Sequence, residues 1–309
     1  MSRRLNNIIT YQDHAVDVLA QAAAYVRAGQ LFVLITSVDI KGGSARDVGS
    51  LAVVADTGEM TGYMSNGCID RDIVLQGLTT IETGQIKHIR YGAGSPYMDL
   101  KLPCGGALEL VIDPAPNFEM LLGALKDLRA RKLAVLTFAA QSGSVRFQYA
   151  PKPALVLAGR GAILRTTASL AAHMDFGLHI ASPDSDDLTN LVQLEPITCQ
   201  PMTTPQAFLQ IPVDAHTAVL LLFHDHEWEQ SLLMRAAAQG PFFIGALGSR
   251  KTQDIRLQRL ADAGLSPALC ARIQGPIGLV PSLRNASLIA VSALAEVTAN
   301  LPAAQVRLV

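Results

Sequence analysis

The sequence predicts an α/β protein in two domains, spanning residues 1–150 and 151–309. Three observations carry that expectation. Tyr149-Ala150-Pro151-Lys152-Pro153 places two prolines within three residues, a linker signal. Beyond it, short apolar runs alternate with helical stretches, the pattern of a parallel sheet with helices on both faces. Gly159-Arg160-Gly161-Ala162-Ile163-Leu164 then joins the first run to the first helix, where a dinucleotide-binding turn belongs. The fold expected is an N-terminal mixed α/β domain followed by a C-terminal Rossmann-like parallel-sheet domain.

Composition narrows the function classes. The 309 residues are 50% hydrophobic and 17% charged, with a net charge of −1. Such a chain orders in water and has no electrostatic bias toward nucleic acid or anionic lipid. Its basic start, Met1-Ser2-Arg3-Arg4-Leu5, runs into Asn6 and Asn7, which is not the pattern of a signal peptide. No stretch is long and apolar enough to span a bilayer. The four cysteines (Cys68, Cys104, Cys199 and Cys270) form no CxxC pair, so free thiols in a reducing cytoplasm are expected.

In the first half, apolar spacing from Asp13 to Ala28 predicts a helix capped by Asp13 and stopped by Gly29. Leu31–Val38 reads as a strand. The polar loop Asp39–Gly49 is either ordinary surface or, with small residues flanking Arg46, an anion site. Ser50–Ala55 and Glu59–Met64 form a hairpin about Asp56-Thr57-Gly58. A helix over Ile69–Thr83, a strand over Ile86–Tyr91 and a strand over Ala107–Ile112 follow. Asn117–Arg131 is a helix, and Leu133–Phe138 and Val145–Tyr149 are strands.

Two cysteines lie in constrained settings. Pro103 and Gly105-Gly106 put Cys104 on a bend with bare amides beside it, and Gly67 puts Cys68 before the helix that starts at Ile69. Amide nests and helix N-termini favour a thiolate or a bound anion, although Asp70 opposes the former. A buried cysteine in a tight turn explains each equally simply.

In the second half, strands are expected at Ala154–Ala158, Leu178–Ala181, Ala218–Phe223 and Phe242–Ala246. Helices are expected at Ala162–Met174 and Glu227–Ala238, then to Ala263, and from Arg284 to Ala299. Leu164 takes the third glycine's place in the fingerprint, and Ser182 stands where a ribose-binding acid would be, with Asp184 two residues on. Ordinary NAD(P) binding is therefore not expected. His224-Asp225-His226-Glu227 admits a shared metal or a capped helix start. Ser249 reads as an N-cap that leaves Arg250 and Lys251 in the first helical turn, either solvated or set against a phosphate. Gly275-Pro276-Ile277-Gly278-Leu279 forms a rigid loop, and Glu296 sits among alanines, facing a partner or solvent.

Taken together, these stretches resemble the XdhC/CoxI family of molybdenum-hydroxylase maturation factors. The likeness rests on Gly43-Ser44-Ala45-Arg46 with Gly49, Gly67-Cys68, Pro103-Cys104-Gly105-Gly106-Ala107-Leu108-Glu109 and Gly159-Arg160-Gly161. It continues through His224–Glu227, Gly245–Arg250, Pro276–Leu279 and Ile289–Glu296, all in order. Here the family's Gly-Ala-Gly-His-Val turn reads Gly159-Arg160-Gly161-Ala162-Ile163, without the histidine. The resemblance implies a cytoplasmic chaperone without turnover that binds molybdenum cofactor (molybdopterin or its cytosine dinucleotide form). It further implies help with the cofactor's sulfuration and its insertion into a hydroxylase of xanthine or aldehyde dehydrogenase type.

The implied cofactor-binding residues are Cys68, Cys104, Gly67, Gly105, Gly106, Arg46, Gly159, Arg160, Gly161, Ser249 and Arg250, with Cys104 and Cys68 nearest the molybdenum. Implied partners are an apo-molybdenum hydroxylase subunit, a cysteine desulfurase, a cofactor nucleotidyltransferase and a second copy of the chain. The competing readings are an NAD(P)-dependent Rossmann oxidoreductase and a metal-dependent hydrolase built on His224 and His226.

Overall fold

A computed structural model describes residues 8–93, 95, 105–140, 143–194, 197–204, 211–223, 226–302 and 305–309. The chain divides into two compact units, Met1–Lys152 with Ala304–Val309, and Pro153–Ala303.

In the first unit the elements run β1 (Ile9–Thr10), α1 (Ala15–Ala28), β2 (Phe32–Lys41), β3 (Leu51–Ala55), β4 (Met60–Gly62), α2 (Asp70–Thr83), β5 (Lys87–Gly92) and β6 (Ala107–Asp113). They continue with α3 (Phe118–Arg129), β7 (Ala134–Ala140) and β8 (Gly143–Tyr149). Six strands form a sheet in the order β1-β4-β3-β2-β6-β5, antiparallel except at the β1–β4 edge. Strand alternation splits its side chains between two cores. Phe32, Leu34, Leu51 and Val53 pack with α1 and α3, while Val33, Ile35, Ala52 and Val54 pack with Ile73 and Val74 of α2.

Two local signals settle α1. Gly29 closes the helix at φ 64°, as expected. The N-cap, however, is His14, whose Nδ1 accepts the Val16 N–H at 3.1 Å. Asp13 is not the cap, because its carboxylate is taken by Arg46 from the β2–β3 connection.

The second unit runs β9 (Ala154–Gly159), α4 (Gly161–Ala171), β10 (Gly177–Ser182), α5 (Ser185–Leu191), β11 (Ile197–Pro201), β12 (Thr217–Leu222) and α6 (His226–Gln239). It ends with β13 (Phe243–Ala246), α7 (Arg250–Asp262), α8 (Pro267–Cys270), β14 (Ile273–Gln274) and α9 (Ala286–Ala299). The sheet order is β11-β10-β9-β12-β13-β14, and every pairing is parallel. Numbered from β9, this is the 3-2-1-4-5-6 order of a doubly wound Rossmann sheet. Leu155, Leu157, Leu220 and Leu222 face one core with α4 and α9, whereas Val156, Ala158, Val219 and Leu221 face the other with α6.

Short or non-local pieces escape the sequence reading: β1, α5, β11, α8, β14 and a last strand, β15 (Val306–Leu308). This strand is antiparallel to β8, forming the sheet β15-β8-β7 with the first unit.

Candidate functional site

The connection between β2 and β3 carries the Gly43–Arg46 motif and Gly49, and it meets Gly106 of the Pro103–Glu109 motif. At its base, Ser37 Oγ donates to Asp47 O (2.8 Å) and accepts from Ser50 N (2.9 Å), while Tyr149 Oη donates to Gly49 O (2.7 Å). At its tip the connection lies against Gly106. A methyl group on Gly106 would stand 2.7 Å from the Lys41 carbonyl oxygen and 2.8 Å from that of Gly43, so only glycine fits this close approach. Gly105 beside it takes φ 68°. Glu109, in the same motif, is held by a cross-strand ion pair with Arg90. Cys104 lies outside the described residues.

Arg46 is less open than the sequence implies. Its side chain is only 9% exposed, and it donates from Nη1 to Asp13 Oδ1 and from Nη2 to Asp13 O, both at 2.7 Å. The guanidinium also lies 4.4 Å from the centre of the Tyr63 ring, in a cation–π contact, and Tyr63 Oη donates to Asp13. Burial, and then that bond to Asp13, raises the Tyr63 hydroxyl above its usual pKa. Among the described residues, the buried Nε of Arg46 has no partner. Arg46 thus joins the β2–β3 connection to the end of β4, three residues upstream of Asn66-Gly67-Cys68.

The Cys68 loop is built around one carboxylate. Asp70 is fully buried and accepts the N–H groups of Met64, Ser65 and Gly67, each at 3.0 Å. Ser65 Oγ accepts Ile69 N–H at 3.1 Å. The amides expected to greet an anion are therefore satisfied internally, with Gly67 at φ 92° to make the bend. Cys68 is left exposed two residues before α2, whose N-cap Ile69 supplies no side-chain bond.

In the second unit, the fingerprint turn is likewise filled from within. A Cβ on Gly159 would meet Leu222 O at 2.7 Å, which accounts for that glycine. Gly161 N–H, at the start of α4, donates to Asp187 Oδ2 at 2.7 Å, and Arg165 Nε donates to the other oxygen. Asp187 is 0% exposed. It stands where a dinucleotide's pyrophosphate would meet the helix N-terminus. Asp184 caps α5 through the Asp186 N–H (2.9 Å), and the buried Ser182 Oγ accepts Asp184 N–H at 3.1 Å. Arg160 is the exposed N-cap residue of α4.

The turn from β13 into α7 matches expectation. Ser249 caps α7 by accepting Thr252 N–H at 3.1 Å, leaving Arg250 and Lys251 exposed in the first turn. Beneath the turn, Arg256 of α7 forms a buried ion pair with Glu229 of α6 and donates to Leu247 O. Neither residue carries a local sequence signal, because the pairing spans 27 positions. The next loop is tied to α9: Gly278 N–H donates to Glu296, and Val280 N–H to Ser292 Oγ (2.8 Å). Glu296 is half-buried and bonded within its own unit. His224 and Asp225 lie outside the described residues. Among those described, no group of three or more His, Cys, Asp or Glu side chains is placed to hold a metal ion.

Comparisons with known proteins match both units. Residues 25–92 fit the XdhC and CoxI family model, and residues 155–297 fit the XdhC Rossmann domain. A molybdenum cofactor insertion chaperone, PaoD of Escherichia coli K12, is 33% identical over 301 residues, covering 92% of this chain and 88% of that protein. The chain belongs to the XdhC/CoxI family. A second E. coli relative, the uncharacterized protein YqeB, is 21% identical over 91% of this chain, which spans 46% of YqeB. A crystal structure described as a xanthine dehydrogenase (BH1974) from Bacillus halodurans shares the fold. Its TM-score is 0.74 at 18% identity, covering 92% of this chain and 95% of that one. Of the motifs described, Gly43–Arg46 meets Gly106 in the first unit. In the second, Gly159–Gly161, Gly245–Arg250 and Pro276–Leu279 follow the carboxyl ends of β9, β13 and β14.

Proposed function

We propose that this XdhC/CoxI protein is a molybdenum cofactor-binding chaperone, which stabilises the cofactor, assists its sulfuration and inserts it into a molybdenum hydroxylase of xanthine or aldehyde dehydrogenase type. The observation that carries this reading is the 33% identity, extending through both units, to a protein named as a molybdenum cofactor insertion chaperone. The role requires no turnover of its own. Its expected partners are the apo-hydroxylase, a cysteine desulfurase, a cofactor nucleotidyltransferase and a second copy of the chain, all in the cytoplasm.

The residues suit such a cargo. Cys68 is exposed on a loop that Asp70 holds, so a soft sulfur ligand is presented without first being uncovered. Cys104, which precedes Gly105-Gly106 in the sequence, is assigned the same role. Arg46 braces the β2–β3 connection through Asp13 and Tyr63, and its buried Nε has no partner among the described residues. Phosphate oxygens of the cofactor are assigned to Ser249, Arg250 and Arg160. Gly161 contributes through the fold, because its N–H is already given to Asp187. That same bond argues against the competing dinucleotide-dependent oxidoreductase, since an internal carboxylate must leave before a pyrophosphate can enter.

The test is purification from cells that make the cofactor, followed by oxidation and measurement of pterin fluorescence. Stoichiometric pterin and activation of an apo-hydroxylase are expected, with both reduced in the Cys68→Ala, Cys104→Ala double variant. Absence of both in the parent protein sinks the reading. Micromolar NAD(P)H binding with hydride transfer would favour the oxidoreductase instead.

A further inference from the structure

Arg256 lies in the second turn of α7 and is almost entirely buried: its side chain is 2% exposed and that of its partner Glu229 4%. The guanidinium makes four hydrogen bonds to three different segments. Nε and Nη2 donate to the two oxygens of Glu229 (3.1 and 2.8 Å), in the first turns of α6 just beyond the His224–Glu227 motif. Nη2 also donates to Leu247 O (2.6 Å), inside the Gly245–Arg250 motif. Nη1 donates to Gln253 Oε1 (2.6 Å), and Gln253 Nε2 passes the link on to Ile273 O (2.8 Å), the residue that leads into the Pro276–Leu279 motif. The fit is tight enough to dictate sequence: a Cβ on Gly275 would lie 2.1 Å from Gln253 Oε1 and 3.0 Å from Arg256 Nη1. The two outer loops also touch directly, with Ile277 N–H donating to Ala246 O at 3.2 Å.

A buried ion pair is a poor way to gain stability, because the desolvation of both charges offsets their attraction. Apolar residues of similar volume commonly do as well or better. What arginine offers instead is geometry. Its planar fork can meet a carboxylate, a carbonyl and an amide at fixed angles, which the single ammonium of lysine cannot. The segments it joins all lie at the carboxyl edge of a parallel sheet, where open α/β folds bind ligands.

We infer that Arg256 is a positioning residue: with Glu229 and Gln253 it locks the start of α6, the β13–α7 turn and β14 into one rigid surface, and cofactor retention depends on that lock. The inference rests on the proposed chaperone function, and the experiment separates the two. Three proteins are compared, the parent, Arg256→Lys, and the double variant Glu229→Met/Arg256→Met, each scored for folding, bound pterin and amide exchange.

The double variant leaves Leu247 O and Gln253 Oε1 without their donor, so it is expected to stay folded but melt below the parent. It is expected to retain about tenfold less pterin, the lower end of what losing an outer positioning partner costs. Arg256→Lys, which keeps the charge, is expected not to rescue retention. In both, the Leu247 and Ile277 amides should exchange at least about tenfold faster while the central-strand amides of Val219 and Leu220 do not change, since local opening is confined to what the lock holds. Full retention, with unchanged exchange in either folded variant, overturns the inference. Should the double variant fail to fold, Arg256→Lys decides alone. A parent protein without pterin removes the chaperone reading, and the exchange data then stand as the measure of whether the lock exists.

Discussion

His14 shows how one buried side chain ties stability to pH. It caps α1 as a neutral acceptor, and burial lowers its pKa from 6.5 to about 4, partly countered by Asp17 and reinforced by Lys152. Because the unfolded chain takes up this proton first, the folded state keeps the full contribution above pH 6.5 and loses it as pH falls toward 4. The whole effect is about 3 kcal/mol. Replacing His14 by Asn preserves a capping oxygen and removes the titration, so the variant should lose less stability than the parent between pH 6.5 and 4. Urea unfolding at both pH values measures this, and equal losses would refute it. Legibility at this scale follows the range of the interaction. Gly29 and Ser249 are readable as caps because their bonds close within a few residues. Asp13 misleads because Arg46, 33 positions away, claims it. The three-amide role of Asp70 is hidden for a related reason: its charge suggests repulsion of a neighbouring thiolate, while its position inside the loop makes it the anchor.

At the scale of elements, α4 is the instructive case. The glycine pattern locates the β9–α4 turn correctly, and the Leu164 in place of a third glycine is fully buried in the core against the sheet. What the pattern cannot convey is that α5 turns its own carboxylate onto the helix start. The run Asp184-Ser185-Asp186-Asp187 held a clue, an N-cap followed by first-turn acids, but it marks α5 rather than the contact. Removing Asp187 leaves Gly161 N–H without its acceptor, at a cost of about 1–3 kcal/mol. Arg165 adds little, because it is 41% exposed. Asp187→Ala is therefore expected to be destabilised by that amount and to regain stability in inorganic phosphate, which would take the vacated place. The parent should show no such response. Thermal melts with and without phosphate decide it, and an equal phosphate response in the parent would mean that Asp187 does not fill the site.

At the scale of the whole chain, the least readable feature is the return of the C-terminus. Apolar alternation and the Pro151–Pro153 signal mark the passage between units, because both are written in adjacent residues. The pairing of β15 with β8 joins positions about 160 residues apart and leaves only a short, weakly patterned stretch in the sequence. Yet that strand is built into the first unit. Val306 packs on the core that holds Phe147 and Tyr149, and a Cβ on Gly49 would lie 2.5 Å from its Cγ1. Ala150 N–H and Val309 N–H add bonds to Gln305 O and Arg146 O.

Deleting residues 305–309 should therefore uncover Phe147 and Tyr149 and weaken the first unit by about 1–3 kcal/mol, the scale for exposing side chains of that size. The single tryptophan, Trp228, makes the location of the loss measurable, because it sits in the second unit, stacked on Phe223 at 6.1 Å. Far-UV circular dichroism should show part of the structure melting several degrees earlier, while the Trp228 fluorescence midpoint stays where it was. A tryptophan midpoint that falls in step with the dichroism would show that β15 supports both units, and that the chain unfolds as one cooperative body.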